Sequence, residues 1–136
     1  MSKLTPDISF DFRGHSVLVT GATGGIGSAV AEGCAAAGAN VILHDRDVTK
    51  SKPILEKCRA HGVRVSVVPA DFFGDKVLAT EPDLDMAIFS AGGCIHYGPV
   101  EDMTFEQYDQ LMKLNVSSKH PLPAKNNTPS ASLNRK

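Results

Sequence analysis

The sequence predicts an α/β protein built on a doubly wound parallel sheet of about four strands, and three observations carry that prediction. Short apolar runs rich in β-branched residues recur at 15–20, 40–45, 63–70 and 84–93, and apolar runs without strict alternation mark strands buried on both faces. Helix-favouring stretches separate them, and alternating strands and helices give a parallel sheet with helices over both of its faces. A glycine cluster, TGATGGIG at 20–27, stands directly between the first strand and the first helix.

The elements follow in order. HSVLVT, 15–20, and NVILHD, 40–45, read as buried strands, and the alanine-rich GSAVAEGCAAAGA between them reads as a helix with Gly38 at its C-terminal cap. The crossover is about thirty residues long, and in that setting it is expected to be right-handed. Ser51 is the expected N-cap of a second helix, with Pro53 in its first turn and Gly62 ending it near His61. VRVSVVPA, 63–70, is the third strand, and the apolar centre of LDMAIFSAGG, 84–93, is the fourth. Thr104 and Gln107 form a capping-box pattern that opens a helix along FEQYDQLMKLNV, 105–116. Phe105, Tyr108, Met112 and Asn115 share one face of it, and Pro121 and Pro123 break it.

These elements fill residues 14–116, flanked by an extension at 1–13 and a polar tail at 117–136. The tail holds four basic side chains and no acid, whereas residues 1–116 carry ten basic against fifteen acidic ones. Such a segment lacks the apolar surface to offset its ordering entropy and is expected to be disordered. Four charges without an interleaved aromatic argue against nucleic-acid binding. No apolar run reaches the roughly 20 residues of a membrane span, and the N-terminus lacks a secretory signal, so the cytoplasm is the expected location. Cys34, Cys58 and Cys94 are odd in number and far apart, which argues for reduced, mostly buried thiols rather than a disulfide framework. Cys58 with His61 and Cys94 with His96 lack a second clustered pair, so no metal site is expected.

The glycine loop carries the chemistry. Gly21 permits a tight turn, Gly25 lets backbone approach a pyrophosphate, and Gly27 lets helix pack on strand. The helix N-terminus adds amide donors and the positive end of its dipole. Asp45 follows Gly27 by eighteen residues, at the end of the second strand, close to the separation of about 20 expected for an acid that accepts from ribose hydroxyls. A carboxylate there repels a 2′-phosphate and favours NAD over NADP, while the neighbouring Arg46 could pair with one.

With these residues in place, the sequence resembles the short-chain dehydrogenase/reductase family over about 14–116. The spacing T-G-x-x-x-G-I-G at Thr20 to Gly27 has that family's form. Asp71, in PADF after the third strand, resembles the family's adenine-contacting acid, with Phe72 beside it. SAGG at 90–93 resembles the N-A-G segment that passes under the nicotinamide ribose, with serine at 90 where asparagine is usual. Asn115 falls on the helix asparagine of the family's proton-relay site. The resemblance implies a Rossmann-type fold, and a cofactor-binding set of Gly21, Thr23, Gly25, Ile26, Gly27, Asp45, Arg46, Asp71, Phe72, Ser90, Ala91 and Gly92. It also implies hydride transfer between a nicotinamide and an alcohol or carbonyl.

The family's acid/base is a Tyr-x-x-x-Lys pair with an upstream serine. Here Tyr97 is followed four residues on by Glu101, and Tyr108 by Met112. The expectation is therefore a cofactor-binding N-terminal half of such an enzyme, truncated, retaining Asn115 alone of the catalytic set and not catalytic by itself. The alternative is a non-catalytic interaction protein that pairs through an exposed sheet edge with itself or with a full-length relative.

Overall fold

The computed structural model describes residues 9–69 and 84–117. Asp71, Phe72, the connection 71–83 and nearly all of the expected tail lie outside the described residues.

Among the described residues four strands form one parallel sheet: β1 (Ser16–Thr20), β2 (Asn40–Asp45), β3 (Val65–Pro69) and β4 (Met86–Phe89), in the order β3-β2-β1-β4. β1 aligns Thr20 with His44 of β2 and with Phe89 of β4, and β2 aligns Asp45 with Pro69 of β3. Residues 16–20 of β1 are all buried; at the edges of the described sheet β4 is half-buried throughout, and β3 runs from a buried Val65 through half-buried Val67 and Val68 to exposed Ser66 and Pro69. The expectation of strands buried on both faces thus holds for the two central strands and not for the outer two.

Helices α1 (Gly25–Ala36) and α2 (Lys52–Arg59) cover one face. Val17 and Val19 of β1 and Val41 and Leu43 of β2 meet Ala31, Cys34 and Ala35 of α1 and Ile54 and Cys58 of α2 there. Leu18, Ile42 and His44, on the alternate positions, are also buried. Burying each large aliphatic side chain contributes about 1.5–3 kcal/mol, so β1 and β2 anchor the fold. The small residues of α1 let it sit close to the sheet. It closes on Gly38, whose φ of 92° turns the chain back toward β2. Before β1, Phe12 packs against the same core and its amide donates to the Ala37 carbonyl at 2.8 Å.

The start of α2 differs from the sequence expectation. A 3-10 turn, Val48–Ser51, precedes it, and Asp47 caps that turn by accepting from the Thr49 amide. Ser51 has helical torsions and makes no side-chain cap bond. Its hydroxyl therefore does not meet the helix amides that a cap in extended conformation would reach. Cys34 and Cys58 are buried as expected, but Cys94 is exposed, because it stands in the open segment after β4 rather than on a strand. Burial pushes the Cys58 thiol up to about 11, aided by the nearby Glu32 charge.

The last helix among the described residues, α3 (Phe105–Asn115), opens on the expected capping box, with both reciprocal bonds between Thr104 and Gln107 formed. Phe105, Tyr108 and Met112 are exposed, and the Phe105 and Tyr108 rings lie 6.4 Å apart. No helix among the described residues is long and apolar enough to cross a membrane.

Candidate functional site

The topology itself makes a cleft. From β1 the chain steps outward through β2 to β3 and then returns to place β4 on the other side of β1. The connections leaving β1 and β4 therefore diverge, and the crevice outside the carboxyl ends of those strands is where open parallel sheets bind ligands. A cleft of about 560 Å³ lies there.

Its floor is the glycine loop. Gly21 turns with φ 64°, and a side chain on it would meet the Ala91 Cα at 2.7 Å. A Cβ on Gly27 would strike the Gly21 carbonyl, so the helix start and the loop touch backbone to backbone. Gly25 has nothing within 4 Å of the corresponding position, which leaves the first turn of α1 open for a bulky group to approach. That turn contains no acidic residue and has no side-chain cap, so its amide donors and the positive dipole end are not neutralised locally. Backbone donors of this kind fit an anionic pyrophosphate.

The second wall is the end of β2. Asp45 Oδ2 accepts from both the Thr23 hydroxyl, at 2.5 Å, and the Thr23 amide, at 3.3 Å, while Oδ1 accepts from the Asp47 amide at 3.4 Å. Burial pushes the Asp45 carboxyl up, but the Thr23 hydroxyl and the amides of Asp47, Thr23 and Arg46 together outweigh it and hold the pKa below the usual 3.8. A carboxyl whose folded pKa is depressed stabilises the fold above its unfolded pKa, and that contribution is lost as pH falls through the folded value. Acid titration should therefore show the wild-type protein losing its stability advantage over Asp45→Asn only below about pH 4; an equal gap between the two proteins at pH 7 and pH 3 would contradict the assignment.

The third wall is the segment after β4. Thr20, at the end of β1, donates to the Ile88 carbonyl at 3.4 Å and accepts from the Ala91 amide at 3.2 Å, joining β1 to the turn that carries Ser90, Ala91 and Gly92. Asn115, at the end of α3, clamps the following residue: Oδ1 accepts from the Gly93 amide at 3.1 Å, and Nδ2 donates to the Gly93 carbonyl at 2.8 Å and to the Leu111 carbonyl at 3.0 Å.

Ten of the residues expected from sequence, Gly21, Thr23, Gly25, Ile26, Gly27, Asp45, Arg46, Ser90, Ala91 and Gly92, line this one cleft. Asn115 is beside it, engaged with backbone. The cleft is also lined by Gly24, Asp47, Lys50 and Leu114, which sequence reasoning missed. The D-V-T pattern at 47–49 was a usable signal for Asp47, as an acid accepting from the amide two residues on. Lys50 had none, because only the 3-10 turn brings it round, 3.6 Å from Asp47. In the segment after β4, Tyr97 is exposed and a His96 ring nitrogen lies 3.0 Å from the Pro99 carbonyl.

Comparison with known proteins gives a consistent result. The profile of the family described as short chain dehydrogenase matches residues 15–121. A 7beta-hydroxysteroid dehydrogenase from Collinsella aerofaciens is 34% identical over 105 residues, covering 73% of this chain and 40% of the relative. A metagenomic short-chain oxidoreductase solved in complex with NADP superposes with a TM-score of 0.70 at 27% identity, over 79% of this chain and 52% of that one. The structure of an NAD+-bound xylitol dehydrogenase superposes with a TM-score of 0.72 at 25% identity, over 79% of this chain and 44% of that one. The chain thus spans about half the length, or less, of the proteins it matches.

Proposed function

This chain belongs to the short-chain dehydrogenase family, and from that premise we propose that residues 14–116 form a domain that binds a nicotinamide dinucleotide in the cleft, NAD in preference to NADP. The observation that carries the reading is the pairing of an open glycine loop with a fixed, ionised Asp45 across one cleft. Gly21, Gly25 and Gly27 with the start of α1 would hold the pyrophosphate, Asp45 the adenosine ribose, and the Ser90–Gly92 turn the nicotinamide side. Asp71 and Phe72 are proposed for the adenine on the family resemblance alone. The cofactor supplies a hydride acceptor or donor; the chain's own residues bind and orient it. The free thiols of Cys34, Cys58 and Cys94 support a reducing, cytosolic setting.

By itself the 136-residue chain is proposed to bind without turnover. A general acid/base must stand within hydrogen-bond reach of the substrate oxygen, and neither tyrosine is followed four residues on by the lysine of the family's pair. Titration of nicotinamide fluorescence should give saturable NADH binding, while no alcohol or ketone in a broad panel changes nicotinamide absorbance above background. Steady turnover by the pure chain would overturn the non-catalytic half of this reading.

A second reading rests on β4, beyond which no strand stands among the described residues, and on the exposed Phe105, Tyr108 and Met112 of α3. Unpaired strand edges and apolar patches favour association, with another copy or with a full-length relative. Light scattering at micromolar concentration separates the readings: a clean monomer that captures no relative leaves cofactor binding alone.

A further inference from the structure

We propose that α3 is a ligand-gated element: a dinucleotide that reaches the turn after β4 fixes the helix in place, so that filling the cleft and docking α3 are one linked equilibrium. The inference rests on the reading of the cleft as a dinucleotide site and goes beyond it in coupling that site to the order of a helix.

The turn is a wall shared by cleft and helix. Ser90, Ala91 and Gly92 line the cavity, and the Ala91 backbone stands so close to Gly21 that no side chain fits between them. Thr20 fastens the same residue by accepting from the Ala91 amide at 3.2 Å. From α3, Asn115 holds both the amide and the carbonyl of Gly93. A Cβ on Gly92 would stand 2.6 Å from Asn115 Oδ1, so the asparagine side chain lies directly on the backbone that lines the cleft. Leu114 adds a second route, because it lines the cleft from α3 itself.

No residue of α3 is fully buried, and a helix of eleven residues is marginal in water. Its release therefore costs less than the unfolding of β1 and β2, where the buried core lies. A ligand in contact with Ser90–Gly92 and Leu114 binds the docked helix better than the released one, and that difference in affinity is what moves the equilibrium. Linkage runs both ways, so the factor that ligand adds to docking is the factor that docking adds to ligand affinity. A ligand that stops at the glycine loop and Asp45 lacks the difference.

The test is hydrogen exchange of the 136-residue chain, free and at equal saturation with NADH or with ADP, which carries the pyrophosphate and one ribose and ends short of the turn. NADH should slow the α3 amides by about tenfold or more, and ADP by less than about threefold. Asn115→Ala, which releases α3, should bind NADH more weakly by about threefold or more, yet by no larger factor than NADH slows wild-type α3 exchange, with ADP affinity unchanged. If Asn115→Ala does not fold, the wild-type contrast between NADH and ADP decides alone. A wild type that binds neither NADH nor ADP overturns the cofactor reading and this inference together. NADH that binds without slowing α3, ADP that slows it as much as NADH does, or an Asn115→Ala chain with α3 released and full NADH affinity overturns the inference alone.

Discussion

Replacing Gly21 with valine is expected to destabilise the fold by about 3 kcal/mol and to abolish dinucleotide binding. Two effects add. A φ of 64° is the left-handed region, where an L residue costs about 1–2 kcal/mol. A Cβ there would also stand 2.7 Å from the Ala91 Cα and 2.9 Å from its nitrogen, and backbone on both sides leaves no flexible side chain to give way. Overpacking of this kind costs about 1–3 kcal/mol. Relief comes only if the turn after β4 moves away from the loop, which opens the cleft between its floor and its third wall. Denaturant unfolding with and without NADH checks both parts; a variant of wild-type stability that still binds NADH would show that the loop and the turn are not in contact.

Asn115→Ala is expected to release α3. The helix buries no residue fully, and an isolated helix of eleven residues is marginal in water. Two side-chain hydrogen bonds between Asn115 and Gly93 fasten its end to the turn after β4, and a third, from Asn115 to the Leu111 carbonyl, lies within the helix. At roughly 1 kcal/mol each, their loss costs about 2–3 kcal/mol locally. The turn loses a support at the same time. Hydrogen exchange should show the α3 amides exchanging at least tenfold faster while those of β1 and β2 keep their protection. Unchanged exchange in α3 would mean that contacts other than Asn115 hold it.

What the sequence revealed followed the locality of each signal. β1 and β2 were legible because strands buried on both faces need unbroken apolar runs, and Ser16–Thr20 and Asn40–Asp45 are such runs. The Thr104–Gln107 capping box was legible because both of its bonds span three residues. Ser51 stands at the expected N-cap position but makes no cap bond, because the chain had already begun to coil at Val48 under Asp47. The expectation of mostly buried thiols holds for Cys34 and Cys58, while Cys94 is exposed beyond the end of the strand at Phe89.

The site divides along the same line. Gly21, Gly25, Gly27 and Asp45 were found because the strand–turn–helix unit fixes their spacing. The bond between Thr23 and Asp45 spans twenty-two residues, and the clamp from Asn115 to Gly93 also spans twenty-two. Neither leaves a periodic trace. They exist only once the parallel register sets the ends of β1, β2 and β4 side by side.

The most direct test of the account is thermal unfolding of the 136-residue chain alone, with NAD(H) and with NADP(H). A ligand that binds only the folded state stabilises it by about 2.7 kcal/mol at a hundredfold excess over its Kd. The account predicts a cooperative transition whose midpoint rises with NAD(H) and rises less, or not at all, with NADP(H). A cooperative transition that neither dinucleotide shifts would contradict the assignment of the cleft.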